Sequence, residues 1–449
     1  MKPFLILAAL AILVACTPAE TPKQPTAQTQ ITMNRFSGTP TPVTPARSNA
    51  DIAREFLDFH FTLESGRSIP TFSRFEGPIS IAFAAQPDPV AASELSALVS
   101  RLRNEAGVPI STVSAGQSAN IVISRISRAQ LNSIVRGAAC FVVPNAQDFA
   151  SLRGSGREQI DWTRITRRTR AGVFIPEGIS AQALRDCLHE EIAQALGPLN
   201  DLYRVPDTVF NDDNMHRVLT SYDMMILRTA YASELRSGMS RGAVAGRLPA
   251  ILARTNPRAS GFGTRNIPIS EPDWKIAIGK GLFSASANRS AINRAISIAQ
   301  NRRYGAPRQA LGFFARGHAN AKSNREAAIN DFSQAFQLYS SSLGSRSIQA
   351  TRASLQLASV AISAGRLSEA RQIVDRGIDV SRGAQDAELL YNFIGLKAMI
   401  AAASGDSRDP QRLIAEAQSW AAYAIGTGRL FNEYFAILQN RIRQLEGQS

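Results

Sequence analysis

SAQALRDCLHEEIAQALGPLND, residues 180–201, is the stretch whose reading decides the fold. Ser180 has the chemistry of an N-cap, because its hydroxyl accepts a bond from an otherwise unpaired first-turn amide. Gly197 and Pro198 mark the stop, glycine for a left-handed cap and proline because it cannot continue the ladder. At about 100° per residue, Leu184, Leu188, Ile192 and Ala195 share one face, with Glu190 and Gln194 nearly opposite and Glu191 on the flank. The spacing predicts a single amphipathic helix. Its carboxylates either do chemistry or face water.

Upstream, strand and helix patterns alternate. Residues 77–85 (GPISIAFAA), 119–126 (ANIVISRI), 139–143 (ACFVV) and 171–176 (AGVFIP) are aliphatic runs bounded by turn residues, which is the strand pattern. Residues 51–61, 90–106 and 127–135 have helical spacing. This predicts an α/β or α+β domain over residues 51–256.

Residues 257–272 form a linker rich in Gly, Ser and Pro, and every segment of residues 273–449 is helical by period. Ala328, Phe332 and Ala335 in NREAAINDFSQAFQLY have a small–large–small spacing that resembles the second helix of a tetratricopeptide repeat. Gly365-Arg366 with Ala370 and Val374 repeats it. A looser third copy runs from Ala387 through Trp420, and residues 431–445 form a closing helix. The interval from Ala328 to Ala370 exceeds the family's repeat of about 34 residues, so these are divergent repeats with longer helices. Stacked hairpins of this kind leave a concave binding surface. A plain helical bundle is the alternative.

The N-terminus bounds the setting. Lys2 precedes an apolar run from Phe4 to Ala15, too short to span a hydrocarbon layer of about 30 Å and shaped like a secretory signal. Leu13-Val14-Ala15-Cys16 resembles the lipobox of bacterial lipoproteins, which implies cleavage after residue 15 and acylation of Cys16. Thr17 follows, and the absence of Asp there points to the periplasmic side of the outer membrane. Residues 17–50, rich in Pro, Thr, Gln and Ser, read as a disordered tether; a coil of about thirty residues reaches about 30 Å. Cys140 and Cys187 remain, an even pair in an oxidising compartment and hence a disulfide candidate clamping helix to strand. Two buried free thiols are the other reading.

The chain has 449 residues, a formal net charge of +14 and 44% apolar residues, as expected for two or three helix-rich domains. The basic residues are spread out, with only residues 164–170 (RITRRTR) clustered, so no nucleic-acid partner is expected. Anionic lipid, acidic glycan or an acidic partner suits a basic protein of the envelope better.

Residues 190–200, EEIAQALGPLN, have the length and glycine of the zincin pattern H-E-x-x-H-x-x-G-x-x-H. The three histidine positions hold Glu190, Gln194 and Asn200, and Glu191 stands at the general-base position. A frame beginning at His189 puts Ala193 at the second ligand and fails. Leu219 to Asp223, with Leu227 and Tyr231, resembles the closing helix of the matrixin-like metalloprotease fold. Asp207 to Phe210 stands where that fold has its Met-turn, without a Met. With ESGR at residues 64–67, Cys187 and Asn200-Asp201, these features make residues 48 to about 245 similar to a bacterial lipoprotein family of unknown function with a zincin-like core. The resemblance implies a fold and a periplasmic setting but no reaction.

The expectation is therefore an α+β zincin-like N-terminal domain followed by an all-α helical-repeat C-terminal domain. Any metal would be held by Glu190, Gln194, Asn200 and Asp201. Carboxylates and amides suit a hard divalent cation rather than zinc, so no cofactor is expected beyond weak binding of such an ion. Catalysis, if present, rests on Glu191. The leading function is a lipid-anchored envelope scaffold whose repeats bind protein, a pseudoenzyme. The rival is a metal-dependent or acid–base hydrolase of peptide or peptidoglycan. His60, His216 and His318 lie singly in separate segments.

Overall fold

The computed structural model describes residues 31–43, 47–265, 267–282, 288–405 and 409–447. The expected signal segment, Cys16 and the first part of the tether lie outside these. The chain divides into two units. One runs Thr39–Ile269; the other begins at Ser270 and also holds residues 31–38.

In the first unit, Ser48 caps α1 (Asn49–Phe61) by accepting from the Asp51 amide, two residues before the expected start. Five strands form one mixed sheet: β1 (Ile79–Phe83), β2 (Ile110–Thr112), β3 (Ile121–Ile126), β4 (Phe141–Pro144) and β5 (Ala171–Pro176). Their spatial order is β2-β1-β3-β5-β4. All pairings are parallel except that of β4 with β5, which leaves an antiparallel strand at one edge. The β1–β2 crossover is α2 (Pro89–Ala106), capped by Asp88 and ended by Gly107 at φ 67°. α3 (Arg128–Ile134) and α4 (Phe149–Gly154) flank β4. α5 (Ala181–Leu196) follows β5 directly, and α6 (Ser221–Ala230), α7 (Arg241–Ala245) and α8 (Leu248–Thr255) complete the unit.

Every residue of β5 is buried, as expected of a strand covered on both faces. Val173 and Ile175 join the main core with Leu184, Leu188 and Ile192 of α5. Phe174 points the other way, into a smaller cluster with Leu131, Phe141 and Leu152. The sheet thus seats α5 on one face, against both α2 and β5.

From Ser270 on, every described element of the second unit is a helix: α9 (Pro272–Leu282), α10 (Arg289–Asn301), α11 (Ala306–Asn320), α12 (Arg325–Leu343), α13 (Ile348–Ser363), α14 (Leu367–Gly383), α15 (Ala387–Ala403), α16 (Asp409–Ile425) and α17 (Arg429–Glu446). Each packs on its neighbour in sequence, and α13 on α15 and α15 on α17 add a second set of contacts. Ala328, Phe332 and Ala335 face inward on α12, as do Ala370 and Val374 on α14. Gly377 of α14 is needed for close approach: a Cβ there would lie 2.4 Å from the Phe393 ring of α15. α15 is buried on nearly every side, from Leu389 through Ala402, while α14 buries only one stripe.

Part of the expected tether is ordered. Residues 31–43 have no helix or strand, yet residues 31–38 pack on the helical unit. The composition of the segment predicted disorder; Phe36 supplies an aromatic contact, with its ring 4.5 Å from that of Trp420.

Candidate functional site

α5 starts as expected and ends otherwise. The Ser180 hydroxyl accepts from the Ala183 amide at 3.2 Å. Gly197 is not left-handed: its backbone lies at φ −167° and ψ −81°. Glycine is required there for space, since a Cβ would stand 2.9 Å from His60 Nε2. The C-terminal carbonyls are satisfied instead by a buried arginine. Arg168 donates from Nη1 to the oxygens of Gln194 and Ala195 at 2.6 and 2.8 Å, and from Nη2 to Gly197 at 2.7 Å. Its guanidinium also lies 4.6 Å from the centre of the Trp162 ring. Tyr231 donates to the Leu196 carbonyl at 3.2 Å. A cation at a helix C-terminus complements the macrodipole, so Arg168 is both cap and counter-charge. Burial pulls it down to about 10.

Cys140 and Cys187 are joined, with their Cα atoms 5.9 Å apart, tying α5 to the edge of the sheet just before β4. His189 is buried and neutral. Its Nδ1 accepts from the Leu219 amide at 3.1 Å, and burial beside Arg185 and Arg101 lowers its affinity for a proton. Asp223, fully buried, accepts from the amides of Val209 and Thr220 at 3.3 and 2.8 Å and from the Thr208 hydroxyl. It anchors residues 207–210 against α6. Asp223 and Tyr231 thus hold the loop and the helix end in place.

Around the carboxylates of α5 the structure gathers more negative charge than the helix alone carries. Glu191 and Asp201 are 4% and 3% exposed. Burial raises Glu191 well above the usual carboxylate range, and the charges of Glu190 and Glu64 raise it further. Asp201 is raised by burial and then by Glu64, Asp212, Glu190 and Glu191. Glu190, half-buried, is pushed up to about 8 by burial and by Glu64, Asp212 and Asp186. Glu191 Oε2, Asn200 Oδ1 and Asp201 Oδ1 are buried without a hydrogen-bond partner. An unpaired carboxylate in such a place holds its proton rather than ionising. Burial and mutual repulsion thus favour the protonated forms of Glu190, Glu191 and Asp201.

Glu64 and Asp212 come from different segments of the chain. Glu64 lies on an exposed turn where the Leu63 amide donates to the Arg67 carbonyl at 2.9 Å. Asp212 lies in the long connection between α5 and α6, where it and Asn214 adopt left-handed backbone at φ 59° and 55°. Strained residues of this kind persist where surrounding contacts hold them; here Asn211 is bonded to the Val205 carbonyl at 3.1 Å. Tyr203, beside the same acids, is raised by burial and by Asp212, Asp201 and Asp213.

These side chains do not make a zinc site. Zinc wants imidazole or thiolate; Cys187 is in a disulfide and His189 is engaged by Leu219. Asn200 donates its amide to the Asp58 carbonyl at 3.1 Å. Among the described residues, no three His, Cys, Asp or Glu side chains are arranged to hold a metal ion. What the structure places here is two buried carboxyl groups, Glu191 and Asp201, beside the half-buried Glu190.

Sequence reasoning missed Arg168, His60 and the contribution of Asp212. The signal for Arg168 was the RITRRTR cluster, weighed there only for a nucleic-acid partner; one arginine of it is 3% exposed and caps α5. A separate cleft of about 220 Å³ on α1 is lined by Arg47, Arg54, Arg204, Asp51, Glu55 and Asp58. Its charges pair off, Arg47 with Glu55, Arg54 with Asp51 and Arg204 with Asp58.

Residues 49–250 match a family model described as "Protein of unknown function (DUF2927)". No curated protein and no solved structure matches the chain.

Proposed function

We propose that the protein is a lipid-anchored envelope protein with a binding or scaffold role. In this reading Cys16 carries the lipid, the chain faces the periplasm from the outer membrane, and the helical unit takes up a protein partner. Among the described residues no helix is long and apolar enough to cross a membrane. The observation that carries the reading is the neighbour-on-neighbour stacking of α11 to α17, with Gly377 seating Phe393. Helices arranged so build extended surfaces whose shape follows from the repeat, and the divergent tetratricopeptide-like spacing at Ala328 and Ala370 supports it. The mixed sheet, with its antiparallel edge strand tied to α5, supports a zincin-like core; the donor set at Glu190, Gln194 and Asn200 supports a core without zinc.

The test is site-specific photo-crosslinking in cells from Gln372 and Asp379, exposed positions on α14. A discrete adduct from both positions, absent from positions on the sheet unit, is expected. No adduct from any position on the helical unit would sink the scaffold reading.

A second reading, an acid–base hydrolase of peptide or peptidoglycan, is favoured by one observation: Glu191 Oε2 is buried and unpartnered. A carboxylic acid kept protonated at neutral pH suits a general acid. If Glu191→Gln fully complements a deletion, that reading is excluded.

A further inference from the structure

Residues 34, 36 and 38 meet the helical unit in succession. The Asn34 amide donates to the Ser419 carbonyl at 3.1 Å. The Phe36 ring lies 4.5 Å from Trp420 and 5.9 Å, edge-on, from Tyr423. The Gly38 carbonyl accepts from Gln385 Nε2 at 3.1 Å. Arg35 and Ser37, between them, are exposed. The contacts fall on alternate residues, two of them through backbone atoms, and Gly38 at φ 75° ends the run in a left-handed bend.

The receiving side is built into the stack. Ser419, Trp420 and Tyr423 share one face of α16, and Tyr423 is fully buried. Gln385 is 2% exposed and sits in the α14–α15 connection with left-handed backbone, φ 55°. The occupying segment is the looser partner. It has no regular structure, and Phe36 and Trp420 are each only half-covered. Aromatic contact and a few hydrogen bonds to backbone are the general means by which extended peptides are held.

We infer that Trp420 and Tyr423, with the Ser419 carbonyl and the Gln385 amide, form a seat for an extended peptide carrying a phenylalanine. Residues 31–38 are a strap that fills this seat until a partner segment of the same chemistry displaces it. The inference rests on the protein-binding reading of the helical unit and names its ligand class. Strap and seat belong to one chain, so the strap competes at an effective concentration that does not fall when the protein is diluted. Partner binding is therefore suppressed by the chain itself.

The test uses the full chain, wild type and Phe36→Ala, with a fluorescein-labelled peptide of residues 31–38 followed by anisotropy. Phe36→Ala empties the seat without touching the helical core, so it should bind the peptide about tenfold tighter or more than the wild type does. A peptide with its phenylalanine replaced by alanine should not bind, and Trp420→Ala added to Phe36→Ala should abolish binding. Equal affinity of wild type and Phe36→Ala overturns the strap. No binding to a Phe36→Ala chain that melts like the wild type overturns the seat. Neither failure touches the crosslinking test, whose probes are on α14 and not on α16.

Discussion

Arg168 donates to the carbonyl oxygen of Gly197 at 2.7 Å, and the same guanidinium serves Gln194 and Ala195. One side chain thus closes the open end of the helix that bears the acidic cluster. Arg168→Ala leaves three buried carbonyls unpaired, each worth about 1–3 kcal/mol. Expected is a loss of at least about 3 kcal/mol, or about 6–12 °C in melting temperature for a unit of this size. Arg168→Lys should recover only part of it, because an ammonium lacks the fork geometry. Urea unfolding followed by circular dichroism measures this; an alanine variant as stable as the wild type contradicts the capping role.

His60 makes the case for Gly197. Its Nδ1 is bonded to the Phe56 carbonyl at 2.8 Å, which fixes the ring, and its Nε2 meets the position a Gly197 Cβ would take. Gly197→Ala should cost about 1–3 kcal/mol through overpacking, and combining it with His60→Ala should cost less than the sum of the two single changes. Strict additivity in the double-mutant cycle would mean that the two residues do not compete for the same space.

Much of this layout was legible in the sequence where one period dominated. β5 showed as an unbroken aliphatic run because it is buried on both faces, and Ser180 announced α5 by cap chemistry alone. β2 was missed because three residues, Ile110–Thr112, are too few to show alternation. Gly197 was read correctly as a stop and wrongly as left-handed: glycine marks both a turn and a close approach, and only His60 tells them apart. The acidic site was legible only over residues 190–201, on α5 and just beyond its end. Glu64 and Asp212 reach it from segments distant in sequence, and no local pattern reports that. Residues 31–38 read as tether because the Pro-, Thr-, Gln- and Ser-rich composition of residues 17–50 as a whole outweighs a single phenylalanine, although that phenylalanine makes the ring contact with Trp420.

The disulfide offers a stability test independent of the acids. Cys140 and Cys187 are 47 residues apart. Closing a loop of that length restricts the unfolded chain by about 4 kcal/mol in the chain-entropy account. Cys140→Ser with Cys187→Ser should lower the melting temperature of the sheet unit, and reducing agent should do the same to the wild type and nothing to the double variant. If reductant leaves the wild-type melting temperature unchanged, the bridge contributes nothing to the folded unit.

The acidic cluster should make the sheet unit less stable in alkali. Glu190 titrates near pH 8 in the folded chain against 4.5 for the free side chain, and Glu191 and Asp201 are raised as well. Between these values the folded state binds more protons than the unfolded one, so stability falls as pH rises. The stabilising share is complete below pH 4.5 and is lost through about pH 8. Carboxylates with lowered affinity, such as Glu76 and Asp161, have already made their contribution by pH 6. The buried neutral His60 and His189 add theirs by pH 7. From pH 7 to 9 the raised acids therefore set the slope. Calorimetry of the wild type should show a melting temperature that declines over that range. Glu190→Gln and Glu191→Gln should flatten the decline, since an amide fills the same space without a proton to lose. A wild-type curve that is level or rising between pH 7 and 9, or variants that keep the full slope, would mean that the cluster is ionised and solvated, and the general-acid reading of Glu191 would go with it.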